Sequence, residues 1–224
     1  MSRESLSKSE LYIANLFAQE NADLKHVHGT LIEHGRYGVN VGAGEGKLLQ
    51  FFVGLTQAKL VVEVGTLHAY STLWMAEALP EGGKIISIEK DEKTYAIAKD
   101  NVSRSRLANK VELRQGDALE VLNVLSKEFQ RVHVMPDMIF IDADKVNYRY
   151  YLDWAMQAVR VGALIVGDNT FLFGALINED RGEKASPTAM DSMKYFNETL
   201  AAAKNFRAIM IPTREGMTLA QRLS

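Results

Sequence analysis

The sequence predicts an α/β fold with a doubly wound, mostly parallel sheet of seven strands that is covered by helices on both faces. From Lys59 onward, short apolar runs rich in β-branched residues alternate with helical patterns, which is typical of βαβ units. Only a few residues join the last two runs, so these strands must be antiparallel. The first 55 residues have the apolar spacing of helices instead.

The elements follow in chain order. We expect Ser9 to cap a first helix that contains the apolar run Leu11–Phe17, and a loop around Gly35–Gly38 to precede a second helix from about Glu45 to Leu55. The strands are expected at Leu60–Val64, Ile85–Glu89, Val111–Arg114, Met138–Asp142, Ala163–Val166, Phe206–Ile211 and Met217–Arg222. The later helices are expected near 71–79, 91–105, 118–129, 148–159 and 188–203. We expect one domain over residues 1–224, with 1–55 as a helical cap or lid.

The composition is that of an ordinary globular protein. Of the 224 residues, 47% are hydrophobic and 24% are charged, the formal net charge is −2, and there is no cysteine. This charge gives no overall attraction to nucleic acid or to an anionic membrane, although a local basic patch stays open. The lack of cysteine excludes disulfides and thiolate metal sites. The N-terminus lacks the apolar core of a signal peptide, and no run approaches the roughly 20 apolar residues that span a bilayer, so we expect a cytoplasmic protein.

The turn after the first strand is a candidate ligand site. In doubly wound sheets, ligands bind beyond the carboxyl ends of the strands, where the strand order reverses. Gly65 could let a ligand approach the backbone, and Ser71 could cap the next helix or donate to a carboxylate. The full Gly-x-Gly-x-x-Gly fingerprint of dinucleotide sites is absent, and a plain strand–turn–helix junction is the alternative.

Two acidic turns follow at the next strand ends. Glu89 ends the second strand, where a carboxylate can accept both ribose hydroxyls of a nucleoside or can be a solvated strand end. Gly116-Asp117-Ala118 follows the third strand and could flank an adenine, and Asp117 could cap the next helix. The pattern favours a nucleoside at this edge of the sheet.

Acidic and amide side chains end the fourth and fifth strands. Asp142 ends the fourth strand, and Asp168 and Asn169 end the fifth. Because these strands are neighbours in a doubly wound sheet, the three side chains could converge. Neighbouring carboxylates repel each other unless a cation lies between them, and oxygen ligands suit Mg²⁺, Mn²⁺ or Ca²⁺. The equally weighted alternative is that each aspartate caps a helix.

Other polar and aromatic residues are weaker candidates. Lys145, about one helical turn after Asp142, could act as a general base for a substrate hydroxyl, although a loop lysine is more often a solvated charge. The histidines show no metal-ligand spacing, so structural or solvent roles are expected for them. Trp74 and Trp154 lie in helical patterns and are expected in the core, and the charged segment 181–184 is expected to be a solvated loop.

Taken together, these motifs resemble the cation-dependent O-methyltransferases, the family of catechol O-methyltransferase, the plant caffeoyl-CoA O-methyltransferases and their bacterial relatives. The resemblance runs from about Asn40 to the C-terminus. It rests on Glu63-Val64-Gly65-Thr66 with Tyr70-Ser71, on Ile141-Asp142-Ala143-Asp144-Lys145-x-Asn147-Tyr148, and on Asp168-Asn169. It implies a Rossmann-like methyltransferase fold with an antiparallel last strand, S-adenosylmethionine as methyl donor, a divalent cation and a homodimer.

The resemblance also implies a role for each matched residue. Lys145 matches the general base of the family. Asp142, Asp168 and Asn169 would hold the metal ion, with Mg²⁺ expected first and Mn²⁺ or Ca²⁺ as alternatives. The S-adenosylmethionine pocket would be lined by Val41, Glu63, Gly65, Thr66, Ser71, Glu89, Ala118 and Asp142, with Glu89 at the ribose and Ala118 at the adenine edge.

The chain departs from the family pattern at three places. Ala69 stands where the family usually has glycine, and Val161-Gly162-Ala163 replaces Pro-Gly-Gly before the fifth strand. The segment Thr170-Phe171-Leu172-Phe173-Gly174 lacks the tryptophan often found after the metal asparagine, in a region that normally helps to shape the acceptor pocket.

We expect the acceptor to be a small aromatic vicinal diol of the catechol type. The alternative within the same fold is O-methylation of a hydroxylated tRNA uridine, against which the balanced charge argues mildly. An NAD-dependent oxidoreductase is less favoured, because glycines are missing from the first turn and the sheet ends antiparallel. A protein that binds the cofactor without catalysis is also less favoured, because the metal set and Lys145 are all present.

Overall fold

The computed structural model describes residues 7–179 and 184–224. The helices are α1 (Lys8–Phe17), α2 (Ala22–Glu33), α3 (Ala43–Leu55), α4 (Tyr70–Ala78), α5 (Glu92–Arg104), α6 (Ala118–Val132), α7 (Tyr148–Ala158) and α8 (Pro187–Ala202). The strands are β1 (Leu60–Val64), β2 (Lys84–Glu89), β3 (Val111–Gln115), β4 (Met138–Ile141), β5 (Leu164–Asp168), β6 (Phe206–Ile211) and β7 (Met217–Arg222).

These strands form one seven-stranded sheet in the order β3-β2-β1-β4-β5-β7-β6. The pairs β2–β3, β1–β4 and β4–β5 are parallel, whereas β7 runs antiparallel to both β5 and β6. The predicted fold class, with its antiparallel last strand, is confirmed. Contacts between Cα atoms divide the chain into two compact units, one of residues up to Lys59 with Thr66–Asp117 and the other of Leu60–Gly65 with Ala118–Ser224.

The central strands of the second unit are apolar on both faces. Every residue of β4 and β5 is buried, as are the last four residues of β1, which is the pattern of parallel strands covered on both sides. In the register, Val64 lies beside Ile141 and Ile141 lies beside Gly167. The residues that follow these strands therefore start from one edge of the sheet.

Helices α3 and α4 pack closely in the first unit. Trp74 of α4 is 3% exposed, as expected for a core residue. A Cβ atom added at Gly46 of α3 would lie 2.6 Å from Trp74 Nε1, so the indole ring occupies the space that a side chain would need. Trp154 in the second unit is only half-buried, and its Nε1 donates to Leu122 O at 3.1 Å and to Ser126 Oγ at 2.8 Å.

The structure corrects two details at the N-terminus. Ser7, and not Ser9, caps α1, and its side chain and that of Glu10 form a reciprocal capping box. Helix α2 was not among the predicted elements, because its inward side is only the three buried residues Leu24, Val27 and Leu31.

Two further sequence predictions concern exposed segments and membranes. Of the predicted solvated loop 181–184, residues 181–183 lie outside the described part of the chain, and Lys184 is exposed. Within the described ranges, no helix is long and apolar enough to cross a membrane.

Candidate active site

The ends of β4 and β5 bring the predicted metal set to one edge of the sheet. Asp142 and Asp168 come directly after the paired residues Ile141 and Gly167, on strands that lie about 4.8 Å apart. Asp168 is fully buried, and the side chain of Asp142 is 21% exposed. Asn169 is also buried, and its Nδ2 donates to Asp168 Oδ2 at 3.4 Å, a long hydrogen bond.

Lys145 is held by two neighbours at this edge. It begins a short 3₁₀ turn, Lys145–Asn147, that leads into α7. Its Nζ lies 3.1 Å from Asp142 Oδ1 and 2.8 Å from Tyr148 Oη, and only 13% of its side chain is exposed. Lys145 is therefore not a solvated loop lysine, and its amine is fixed beside the Asp142 carboxylate.

Tyr148 lies beneath Lys145 and is a site residue that sequence reasoning did not identify. Its hydroxyl donates to Ile141 O at 2.9 Å and to Asp168 O at 2.8 Å. Burial, followed by the charges of Asp142 and Asp168, raises the pKa of Tyr148 well above its usual value. The hydroxyl therefore stays protonated and remains a donor. Its spacing of three from Lys145, which places both on one side of a helical turn, was the available signal.

The residue that caps the turn after β4 is Asp144, and not the strand-end Asp142. Asp144 is exposed, and its Oδ1 accepts from the backbone of Asn147 at 3.2 Å as the N-cap of the 3₁₀ turn. Its other oxygen accepts from Tyr151 Oη at 2.6 Å. Asp142 does not cap this turn, and its Oδ1 contacts Lys145 Nζ instead.

The turn after β1, in the second unit, requires glycine at position 65. This residue has a φ of 101°, and an added Cβ atom would lie 2.8 Å from the carbonyl carbon of Asp142 and closer still to its oxygen. The protein's own backbone, which also joins Asp142 N to Val64 O at 2.9 Å, therefore requires glycine here. Glu63 lies two residues before Gly65 and is fully buried in β1, and Ala118 begins α6.

The continuation of this turn belongs to the first unit. Thr66 is buried, and its Oγ1 lies 2.6 Å from Ser87 Oγ. Ala69 precedes α4 with a left-handed backbone (φ 70°), and it supplies no side-chain cap. Ser71 is the second residue of that helix and not its cap, so the capping role predicted for it is wrong.

The remaining cofactor candidates of this unit are Glu89 and Val41. Each carboxylate oxygen of Glu89 accepts a backbone hydrogen bond at 2.9 Å, one from Leu67 and one from Asp91. A carboxylate has about four acceptor positions, so Glu89 still has capacity for hydroxyl donors. Val41 is 2% exposed and directly precedes Gly42, the N-cap of α3. Asp117, the other acid considered, pairs with Lys90 Nζ at 2.9 Å.

Comparison with known proteins identifies the family. A sequence model of the O-methyltransferase family matches residues 15–223. The chain belongs to this O-methyltransferase family. It is 36% identical to the catechol O-methyltransferase of Niastella koreensis, over 98% of this chain and 99% of that protein. It is 31% identical to caffeoyl-CoA O-methyltransferase 2 of Petunia hybrida, over 94% of this chain and 87% of that protein.

A solved structure is similar over the whole length of the methyltransferase. The O-methyltransferase TomG of Streptomyces achromogenes, involved in tomaymycin synthesis and solved in complex with S-adenosylmethionine, has a TM-score of 0.87 and 30% identity, and the match covers 100% of both chains. The enzyme is an S-adenosylmethionine-dependent O-methyltransferase. The oxidoreductase alternative is therefore excluded.

One departure of this O-methyltransferase from its family pattern is accommodated by local packing. Ala69 is fully buried and belongs to an apolar cluster with Ala98 and Val102. A left-handed alanine costs about 1–2 kcal/mol relative to the usual backbone. Burial of its methyl group contributes about 0.8 kcal/mol in the opposite direction, so alanine is tolerated in this turn.

A second departure is the segment after Asn169. Leu172 and Phe173 both have left-handed backbones, with φ near 53° and 52°. A Cβ atom added at Gly216 would lie 2.9 Å from the nearest ring atoms of Phe171. In addition, Thr170 N donates to Gly216 O at 3.0 Å. In this methyltransferase the loop that follows Asn169 thus packs Phe171 against the turn before β7.

Proposed function

We propose that this enzyme transfers the methyl group of S-adenosylmethionine to a hydroxyl of a small catechol-like vicinal diol, with a divalent cation at Asp142, Asp168 and Asn169 and with Lys145 as the general base. The observation that carries this proposal is the position of Lys145, whose side chain is 13% exposed and whose Nζ lies 3.1 Å from Asp142 Oδ1, at the edge where Asp168 and Asn169 end the neighbouring strand.

The donor set fits a hard divalent cation. Two carboxylates and an amide supply oxygen ligands, which Mg²⁺, Mn²⁺ and Ca²⁺ prefer. Burying the carboxylate of Asp168 is costly without a compensating charge or hydrogen bonds, and a cation would supply that charge. Among the described residues, no group of three or more histidine, aspartate or glutamate side chains is placed to hold a metal; the proposed set differs in that its third member is an amide.

The chain's own residues define the chemistry at the acceptor. A cation bound at this set would lower the pKa of an acceptor hydroxyl. Lys145 Nζ takes the hydroxyl proton while the oxygen attacks the methyl carbon. The carbon–sulfur bond breaks, and S-adenosylhomocysteine leaves with the bonding electron pair. Fixing the two reactants in line contributes up to roughly 7–11 kcal/mol to catalysis in favourable cases.

The cofactor residues are proposed from the family motif and from local geometry. They are Val41, Glu63, Gly65, Thr66, Ser71, Glu89, Ala118 and Asp142. Two observations support the set. Glu89 keeps acceptor capacity for ribose hydroxyls, and Ala69, the N-cap of α4, makes no side-chain hydrogen bond to the first turn, which leaves the N-terminus of this helix suited to a carboxylate.

The higher organisation of the enzyme is also a proposal. The family model spans both compact units, which supports a single methyltransferase domain over residues 1–224 with 1–55 as its helical cap. A homodimer is supported by exposed apolar side chains on α1 and α3, such as Phe17 at 64%, Phe51 at 62% and Leu55 at 68%. A cytoplasmic location stays a prediction from the N-terminal sequence.

Metal dependence is tested by Asp168→Ala, assayed for methyl transfer with Mg²⁺, Mn²⁺ and Ca²⁺ in turn. We expect the variant to lose cation-stimulated activity and excess chelator to abolish activity in the wild type. The control is Asp144→Asn, which removes an exposed charge in the adjacent turn and keeps a side-chain oxygen to cap it. Full activity in Asp168→Ala, or in the wild type with excess chelator, would show that catalysis does not depend on a cation at this site.

The acceptor is tested by a screen. Catechols, caffeoyl esters and undermodified tRNA are offered with labelled S-adenosylmethionine, and the methylated product is identified by mass spectrometry. We expect transfer to a vicinal diol and none to a monophenol of the same size. Transfer confined to tRNA would replace the small-molecule acceptor with the nucleic-acid alternative.

A further inference from the structure

We propose that Tyr148 is a positioning residue, which fixes the amine of Lys145 and joins the ends of the two strands that carry the acids of the site. This inference rests on the proposed function, because it takes Lys145 as the base. The hydroxyl of Tyr148 has three polar neighbours, namely Lys145 Nζ at 2.8 Å, Asp168 O at 2.8 Å and Ile141 O at 2.9 Å.

The direction of these hydrogen bonds follows from the atoms involved. Both backbone carbonyls are acceptors only, so the single hydroxyl hydrogen of Tyr148 is directed toward them. The hydroxyl oxygen is then free to accept, and the donor available to it is Lys145 Nζ. Lys145 is thereby held between two acceptors, the Tyr148 oxygen at 2.8 Å and Asp142 Oδ1 at 3.1 Å.

The same hydroxyl ties together two separate strand ends. Ile141 is the last residue of β4, and Asp168 is the last residue of β5. Asp142 and Asn169, the next residues along the chain, are the points where the backbone leaves the sheet. The fully buried hydroxyl of Tyr148 therefore links the ends of β4 and β5, which carry the acids of the site.

The ring of Tyr148 is itself held rigidly. Its centroid lies 5.3 Å from that of Phe196 and 6.4 Å from that of Tyr151, with both pairs edge to face, an arrangement that aromatic rings favour. Lys145 Nζ also lies 4.6 Å from the Tyr148 ring centroid, within the range of a cation–π contact. These contacts fix the ring, and with it the hydroxyl that lies 2.8 Å from Lys145 Nζ.

The experiment compares Tyr148→Phe with Tyr151→Phe. Tyr151 lies one helical turn further along α7, is 3% exposed, and donates to Asp144 at 2.6 Å, so it is a matched loss of one buried phenol hydroxyl. We expect Tyr148→Phe to lower kcat by roughly ten- to a hundredfold, which is less than the roughly 10²- to 10⁴-fold that a complete general base supplies. KM for the acceptor should stay within about twofold, because the lost contact acts on the chemical step and not on binding. Tyr151→Phe should keep nearly full kcat.

A double-mutant cycle separates positioning from a general loss of structure. If Tyr148 acts mainly through Lys145, Tyr148→Phe should lower kcat much less in a Lys145→Ala background than in the wild type, and the small remaining loss reflects the link between the strand ends. An equal fold-loss in both backgrounds would overturn the positioning role while leaving Lys145 as the base. Wild-type kcat in Lys145→Ala would instead remove the base assignment of the proposed function, and the positioning role with it.

A further variant covers the case in which Tyr148→Phe fails to fold. Incorporation of 3-fluorotyrosine at position 148 keeps the ring and the donated hydrogen bonds but makes the oxygen a weaker acceptor for Lys145. We expect a loss of kcat smaller than that of Tyr148→Phe, with calorimetric binding of S-adenosylhomocysteine unchanged. Unchanged kcat in this fluorinated enzyme would overturn the proposal.

Discussion

At the scale of single residues, Gly65 is fixed by a close approach of the backbone. Its φ of 101° and the Asp142 carbonyl carbon, which would lie 2.8 Å from an added Cβ atom, both exclude a side chain. We predict that Gly65→Ala lowers the free energy of unfolding by at least about 3 kcal/mol, since it adds overpacking to backbone strain. Urea denaturation measures this loss.

Gly82 is the control for the Gly65 prediction. It also has a positive φ, 74°, but nothing lies within 4 Å of an added Cβ atom. Gly82→Ala should therefore cost only the left-handed backbone term, about 1–2 kcal/mol. Equal losses for the two variants would show that the contact with Asp142 does not matter.

His68 makes stability depend on pH. It is 1% exposed, and burial, followed by the charges of His34 and Arg36, lowers its pKa from 6.5 to about 4. The unfolded chain therefore binds a proton between pH 6.5 and pH 4 that the folded chain does not, so stability is fully present above this window and is lost as the pH falls through it. The size of this contribution is at most about 3 kcal/mol.

We predict that His68→Gln flattens this part of the stability curve. Urea unfolding midpoints would be measured at pH 7 and pH 4.5 for the wild type, for His68→Gln and for His26→Gln, which removes an exposed imidazole. The difference between the two pH values should shrink in His68→Gln and persist in His26→Gln. A wild-type difference in His68→Gln would assign the pH dependence to other groups.

At the scale of elements, the contact between α3 and α4 depends on the missing side chain of Gly46. Alanine is normally better than glycine in a helix by about 1 kcal/mol, but here its Cβ atom would lie 2.6 Å from Trp74 Nε1. We predict that Gly46→Ala destabilises the protein by about 1–3 kcal/mol, the usual cost of overpacking. Thermal unfolding followed by tryptophan fluorescence would report both the loss and the displaced indole.

Gly54 in the same helix should respond with the opposite sign. It is exposed and has nothing within 4 Å of an added Cβ atom. Gly54→Ala should stabilise the protein by up to about 0.5–1 kcal/mol through helix propensity alone. Destabilisation by both substitutions would point to helix α3 itself and away from its contact with Trp74.

The bounds of the strands follow closely from the sequence. β1 and the last two strands were predicted with their observed bounds, and the other strands within about two residues, because short apolar runs have no competing helical pattern. Helix α2 was missed because polar residues and two histidines separate its three buried positions. The sequence favoured Ser9 as the cap because it lies next to the apolar run that begins at Leu11. The observed cap, Ser7, lies one helical turn before that run, and only the backbone geometry distinguishes the two serines.

At the scale of the whole molecule, the candidate site is only partly encoded in strand order. Asp142, Asp168 and Asn169 could be predicted because parallel strands end at one edge of a sheet. The role of Gly65 against Asp142 and that of Tyr148 between two carbonyls could not, because each depends on an approach between segments distant in sequence. In the sequence, each such contact is visible only as a glycine or a tyrosine, and either residue type occurs at a given position for several other reasons.

The proposed cation site should also govern the stability of the whole molecule. A cation that binds only the folded chain stabilises it by about 2.7 kcal/mol at one hundred times its Kd, so Mg²⁺ or Mn²⁺ should raise the wild-type unfolding temperature and a chelator should reverse the rise. Asp168→Asn should abolish most of this rise, whereas Asp144→Asn, which changes an exposed acid, should retain it. Without metal, Asp168→Asn should be at least as stable as the wild type, because the repulsion with Asp142 is removed. An equal rise in Asp168→Asn and wild type would place the bound cation elsewhere.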